Sequence, residues 1–277
     1  MSGSVVRVSV MADECFSDPK PAMAAKLYPK EHGAYAILGI PLAVALVIVG
    51  VTPATVLFSI AAVVAFLAHE PMLIVIGCRG ESARRATPQA GRVLITRLFV
   101  TVCCGLVAFY LSPLEARIGM LLCLLSASIE VAITATGSSR TLTAQFSGLA
   151  GLTLPGAVVL AAGGVNIEVA FQFWLLWFFG RVATTAAVRT TIARHRHNST
   201  ASRTASICDT LLLIAILICG GGLYAGQPQW LATIPLLLSA IVLRLVDPPP
   251  KYLKQMGWSL LAVNMLSGAM QLVIWNG

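Results

Sequence analysis

Charge is scarce in this chain: only 11% of its 277 residues are charged, against 57% hydrophobic, and the mean hydropathy is +0.85. Such a composition excludes a soluble globule and leaves a polytopic helical membrane protein. No Cys-x-x-Cys spacing occurs. Of the seven cysteines, Cys103, Cys104, Cys123 and Cys219 lie in apolar runs and Cys15, Cys78 and Cys208 near one side of the membrane, so all read as reduced fillers rather than a disulfide framework or zinc site. The four histidines, His32, His69, His195 and His197, match no zinc signature such as His-Glu-x-x-His and are too few for a di-iron oxidase with several His-rich boxes. No metal site is expected. A Gly-x-Ser-x-Gly elbow is also absent, which removes the usual sign of a serine hydrolase. Two halves with matching Gly/Pro-broken helices, the mark of many secondary transporters, are not evident either.

What the chain does have is apolar runs of membrane-spanning length. About nine are readable, near 34–52, 54–77, 92–113, 117–136, 142–163, 167–190, 207–225, 229–246 and 257–275, each close to the roughly 17–25 residues that cross a bilayer as a helix. The expected fold is therefore all-α: a single transmembrane domain over 29–277 after a disordered cytoplasmic leader, 1–28, with neither a signal nor a transit peptide.

The net charge of +8 does not point to nucleic acid, because the cations fall in alternate connections. Lys20, Lys26 and Lys30 precede the first run; Arg79, Arg84, Arg85 and Arg92 follow the second; Arg140, then Arg194, Arg196 and Arg203, then Lys251 and Lys254 continue the alternation. Arg117 is the exception. By the positive-inside rule these segments face the cytoplasm, and the chain is expected in the inner (plasma) membrane with its N-terminus inside.

Against this background the rare polar residues inside the runs stand out. Glu70 sits with His69 and Pro71 in an otherwise apolar stretch, and an acid at that position costs roughly 2.5–3.5 kcal/mol to insert. Glu130 and Arg181 occupy two further runs. Glu70 precedes Arg79 by nine residues and Glu130 precedes Arg140 by ten, so each lies about 13–15 Å from the same boundary at 1.5 Å per residue. Arg181 and Arg189 fall in the cytoplasmic half of the sixth run, Arg97 about one turn inside the third, and Lys30, Glu31 and His32 at the entrance of the first. One polar cavity open to the cytoplasm accounts for this common depth.

Structural uses are open for the same residues. An intramembrane acid can pair with Arg181 to hold helices together, Arg97 and Arg189 can snorkel to the interface, His69 can serve as an interhelical hydrogen bond, and the Arg194–His197 set can be a topology anchor. Read functionally, Glu70, His69 and Glu130 are the candidate catalytic groups. Lys30, Glu31, His32, Arg79, Arg84, Arg85, Arg97, Arg181, Arg189 and Arg194 are the candidate substrate-binding groups. Guanidinium forks over apolar helical walls suit an amphiphile with an anionic head, such as an isoprenoid phosphate. Membrane lipids and such an amphiphile are the expected partners.

The segment Pro29-Lys30-Glu31-His32-Gly33-Ala34-Tyr35, the His69-Glu70-Pro71 tripeptide and the Arg-rich stretch after it resemble the YwiC-like family of bacterial membrane proteins, over essentially all of the chain after residue 28. At one remove the layout is similar to the UbiA superfamily of intramembrane prenyltransferases, whose active-site motifs lie at the ends of the second and sixth helices. That resemblance implies a prenyltransferase-like transferase. The superfamily's Asp-rich, magnesium-binding motifs are missing: residues 69–85 hold only Glu70 and Glu81 as acids, and 181–203 hold none. Magnesium is therefore not expected, and arginine would meet phosphate directly, with Glu70 or Glu130 as general acid/base. The alternative is a non-enzymatic transporter or a lipid- or quinone-binding protein.

Overall fold

The computed structural model describes residues 27–28, 32–136, 141–195 and 199–276. Most of the leader expected over 1–28, with Lys20 and Lys26, lies outside them, as do Lys30, Glu31, Arg140, Arg196, His197 and the side chain of His32. Every regular element among the described residues is helical. In chain order these are α1 (His32–Val49), α2 (Pro53–Ile76), α3 (Glu81–Ala86), α4 (Ala90–Leu111), α5 (Leu114–Ala135), α6 (Leu142–Ala162), α7 (Ile167–Arg194), α8 (Ser199–Tyr224), α9 (Ile234–Val246) and α10 (Leu253–Asn276), with 3-10 turns at Pro228–Thr233 and Pro250–Tyr252.

The nine apolar runs coincide with α1, α2 and α4 to α10. Among the described residues seven helices are long and apolar enough to cross a membrane, the α9 span being completed by the 3-10 turn before it. The remaining two runs are α1, apolar but shorter, and α7, whose 28 residues carry Glu168, Arg181, Arg189 and Arg194. The protein is a multi-pass helical membrane protein.

Local chemistry sets the helix boundaries. At the start of α2 Thr52 and Thr55 cap one another reciprocally and Pro53 occupies the first turn, where its missing N–H costs nothing. Gly77 ends α2 in the left-handed region, at φ 90°, and returns its N–H to the Ile74 carbonyl, a conformation open to glycine for lack of a Cβ. Asp247 closes α9 the same way at φ 42°, and three prolines behind it stop the helix. Prolines also sit inside α1 (Pro41), α2 (Pro71) and α6 (Pro155). Each removes one N–H and releases the carbonyl four residues earlier.

The helices α6 and α7 form the centre. Their buried faces carry Leu160, Phe173, Leu176 and Trp177, packed with Leu42 and Ala45 of α1 and Leu236 of α9. Close approach depends on Gly156 of α6, where a Cβ would lie 3.0 Å from both the Pro41 carbonyl oxygen and the Phe173 ring. By contrast only 6% of the α4 and α5 spans is buried, against 56% of α6, so those two helices line the lipid side.

Consecutive spans run antiparallel, which gathers the described Arg79, Arg84, Arg85, Arg92, Arg194, Arg203, Lys251 and Lys254 at one end of the bundle. There Arg194, the last residue of α7, meets Asp247 after α9 at 3.8 Å. At the opposite end Val49 of α1 meets Gly163 after α6, and Gln229 donates to Gln172.

Candidate functional site

Glu70 lies on α2 with only 3% of its surface exposed. Its partner is Arg79: both carboxylate oxygens are 2.8 Å from Arg79 Nη2. The chain turns for this contact at the left-handed Gly77 (φ 90°), so that Arg79 reaches down the helix it has just left. Arg79 stays half-exposed, so one partner is desolvated and the other touches the interface.

The kink at Pro71 determines the next feature. With no N–H on residue 71, the Leu67 carbonyl loses its helical donor, and Arg97 Nη1 of α4 supplies one. The same nitrogen donates to the Leu27 carbonyl at 2.9 Å, and the guanidinium lies 4.9 Å from the Tyr28 ring centroid. Arg97 thus ties the approach to α1, the kink of α2 and α4 together, which is a structural use of a residue expected to bind substrate. Tyr35 of α1 packs edge-on against Phe66 at 5.1 Å, completing this side. His69 is half-buried beside Glu70 and is itself engaged.

One turn nearer the basic end than Glu70, a cleft of about 260 Å³ opens between α2, α3 and α4, lined by Ile74, Val75, Arg84, Thr87, Pro88, Ala90 and Gly91. Ile74 follows Glu70 by four residues and so shares its helix face. The N-terminus of α4 has no side-chain cap; the Ala90 N–H is taken by the Thr87 carbonyl at 3.1 Å, and Gly91, the next residue of the first turn, lines the cleft together with Arg84. Such a helix start favours an anion.

The other expected residues are dispersed among separate partners. Arg85 pairs with Glu81 on the exposed face of α3 at 3.3 Å, a contact worth about 0.3–0.5 kcal/mol. Arg189 of α7 lies near Cys208 of α8 and is engaged. Glu130 of α5 rests against α6 at Gly148, where a Cβ would come within 3.5 Å of its carboxylate, and its Oε2 is buried without a hydrogen-bond partner. Arg181, 6% exposed, donates to the Ala36 carbonyl at 2.9 Å. No ion pair among the described residues joins Arg181 to Glu70 or Glu130.

Two groups escaped sequence reasoning. Asp209 of α8 and Arg244 of α9 form a two-pronged ion pair at 2.6 and 2.7 Å; opposite charges at matching ends of consecutive apolar runs were the available signal. On α10, Asn264, Ser267 and Gln271 are at most 1% exposed, and their spacing of three and four residues is the period of one helical face. No cluster of three or more His, Cys, Asp or Glu side chains that could hold a metal ion occurs among the described residues.

These features define a multi-pass helical membrane protein whose buried Glu70 is answered by Arg79 and whose basic end opens into a small cleft. Residues 28–160, just under half of the chain, match the family model described as YwiC-like protein. The matched stretch runs from the entrance of α1 through most of α6 and contains Glu70, Arg79, Arg84, Arg97 and Glu130. No curated protein and no solved structure gave a match.

Proposed function

We propose that this is a membrane-embedded enzyme, a degenerate relative of UbiA-type prenyltransferases, that acts on an isoprenoid-like amphiphile with an anionic head. The observation that carries the reading is the cleft at the end of α2: Arg84 and the uncapped start of α4 on one side, Ile74 and Val75 on the other, one turn from a buried carboxylate. A phosphate head accepts hydrogen bonds from Arg84 and the α4 N–H groups without a bridging metal, while the apolar wall receives the start of the tail. An anionic head also competes for Arg79 and draws it from Glu70. In prenyl transfer the carbon–oxygen bond to the phosphate breaks, the departing phosphate keeps the electron pair, and the acceptor's carbon or heteroatom bonds to the freed prenyl carbon. Glu70, released from Arg79, takes the acceptor's proton.

A second reading, a lipid- or quinone-binding protein or transporter without catalysis, is favoured by the Glu70–Arg79 pair itself, because an acid already neutralised by its own helix serves structure as well as chemistry. Affinity for a prenyl diphosphate, measured with and without EDTA in the wild type and in Arg84→Ala, tests the shared part. Binding that survives EDTA and weakens about tenfold in Arg84→Ala is expected, the loss of one charged hydrogen bond being about 1.5 kcal/mol or more. Loss of binding with EDTA, or indifference to Arg84, ends the direct-contact reading. Release of diphosphate on adding acceptor alcohols or phenols then separates enzyme from binder.

The basic end is assigned to the cytoplasm of a bacterial inner membrane on the positive-inside rule. With the native cysteines removed, Ser82→Cys should resist an impermeant thiol reagent applied to intact cells and react after permeabilisation. Labelling of intact cells would invert the topology.

A further inference from the structure

Glu130 is an intramembrane acid that the proposed transfer chemistry leaves idle, and its setting is the opposite of Glu70's. It lies on α5, of whose span only 6% is buried, so the side chain is half-buried in the seam with α6 and bordered by lipid. The carboxylate rests on Gly148 of α6, its oxygens 3.5 and 3.6 Å from where a Cβ would stand. One turn earlier, Ser126 sits against Gly151 in the same way. Ser126, Glu130 and Thr134 follow one another at intervals of four and share a face. That face of α5 runs along the two glycines of α6 toward the basic end.

No cation meets this acid among the described residues, and its Oε2 is buried without a hydrogen-bond partner. Its main neighbour, α6, carries no ionisable side chain over Leu142–Ala162. The helices α2 and α4 touch α5 more lightly. On α2, Glu70 is held by Arg79 and His69 is itself engaged. On α4, Arg97 is held by the Leu27 and Leu67 carbonyls, Arg92 stands in the first turn, and Cys103, Cys104 and Tyr110 lie further toward the other end. On α5 itself Glu115 and Arg117 are at the far end, where Arg117 donates to the Ser112 carbonyl, and Cys123 is two turns away.

An ionised carboxylate without a partner is among the costliest groups in this medium, and the cheapest remedy is a proton. The way in is short. Glu130 precedes the end of α5, Ala135, by five residues, about 8 Å at 1.5 Å per residue. The Thr134 hydroxyl lies on that stretch, donating to the Glu130 carbonyl. Opposite the carboxyl, glycine leaves room for it to turn, since even a methyl group there would already be in contact with it.

We propose that Glu130 is a proton-exchange site: a carboxyl carried as the neutral acid in the seam between α5 and α6, open to lipid on one side, that takes up and releases one proton through the basic end of the bundle. Its ligand is the proton itself. The site is separate from the head-group cleft between α2, α3 and α4 and does not depend on the function proposed for that cleft.

The test is reaction of the full-length protein in liposomes with dicyclohexylcarbodiimide. A protonated carboxyl adds across one C=N bond of this lipid-soluble reagent, its proton passing to nitrogen, and the O-acylisourea rearranges to a stable N-acylurea with nothing released. A carboxylate held by a guanidinium does not react. Peptide mass spectra should therefore show the adduct on Glu130 and not on Glu70, and Glu130→Gln should lose it. The rate of adduct formation should fall as the pH rises, roughly tenfold per unit above the midpoint of the titration. Infrared difference spectra give a reading without reagent, and stand in for the adduct if the reagent does not reach the seam. Raising the pH should remove a carboxylic-acid C=O band from the wild type and from Glu70→Gln, and Glu130→Gln should lack that band. If neither adduct nor band appears, or the adduct forms on Glu70 instead, the proposal is overturned. An adduct or a band indifferent to pH marks a proton that never leaves, and overturns it equally.

Discussion

Arg79→Met should destabilise the protein by about 2–3 kcal/mol, and Glu70→Gln by less than half of that. Breaking a fully buried ion pair costs about 3–5 kcal/mol because one charge is left without a partner; here the cost is reduced because Arg79 is half-exposed while Glu70 is not. Removing Arg79 strands the buried carboxylate. Removing the charge of Glu70 leaves a guanidinium that swings into the interface and hydrates. Combining the two should restore most of the loss, so the double mutant is expected to lie near Glu70→Gln alone. Denaturant unfolding in bicelles measures all three variants, and equal single-mutant costs or strict additivity would remove the pair from its assigned role.

The second large effect concerns Arg97. Arg97→Met should cost about 2–3 kcal/mol, since the Leu67 carbonyl, released by Pro71, loses its substitute donor and an unsatisfied buried acceptor costs about 1–3 kcal/mol, with the tie to Leu27 lost as well. The diagnostic experiment adds Pro71→Ala. With an N–H at residue 71 the helix satisfies Leu67 itself, and the penalty of losing Arg97 should fall by about 1 kcal/mol or more. The same penalty in both backgrounds would mean that Arg97 acts elsewhere.

The order of the helices was legible from the lengths of the apolar runs, several of which are bounded by a residue with a clear mechanism: Thr52-Pro53 before α2, Gly77 after it, Thr141 before α6, Asn166 before α7. The six-residue α3 was not, as it lacks an apolar period, and the run near 229–246 begins with a 3-10 turn instead of a full helix. For the candidate site, position along each helix could be read from the rise per residue, whereas the direction a side chain faces depends on neighbours that no run length specifies. Glu70 therefore found Arg79, nine residues on and brought back by the turn at Gly77, and Arg181 found a backbone carbonyl of α1. The polar face of α10 was visible as spacing alone, but only packing reveals that it is buried and not turned to lipid.

The uneven burial of the helices has a consequence for biosynthesis. The well-buried helices α6 and α7 leave the ribosome after α1 to α5, so the apolar helices α1, α2, α4 and α5 enter the bilayer before the elements that will cover them exist. Glu70 and Arg79 lie on one helix and the turn that follows it, so their charges can neutralise each other on the way into lipid without waiting for a later helix. Arg97 reaches Leu67 across a single hairpin and can act equally early. Arg181 arrives with α7, when the Ala36 carbonyl of α1 is already in place, so Glu70, Arg97 and Arg181 each meet a partner at or soon after the moment of their own insertion.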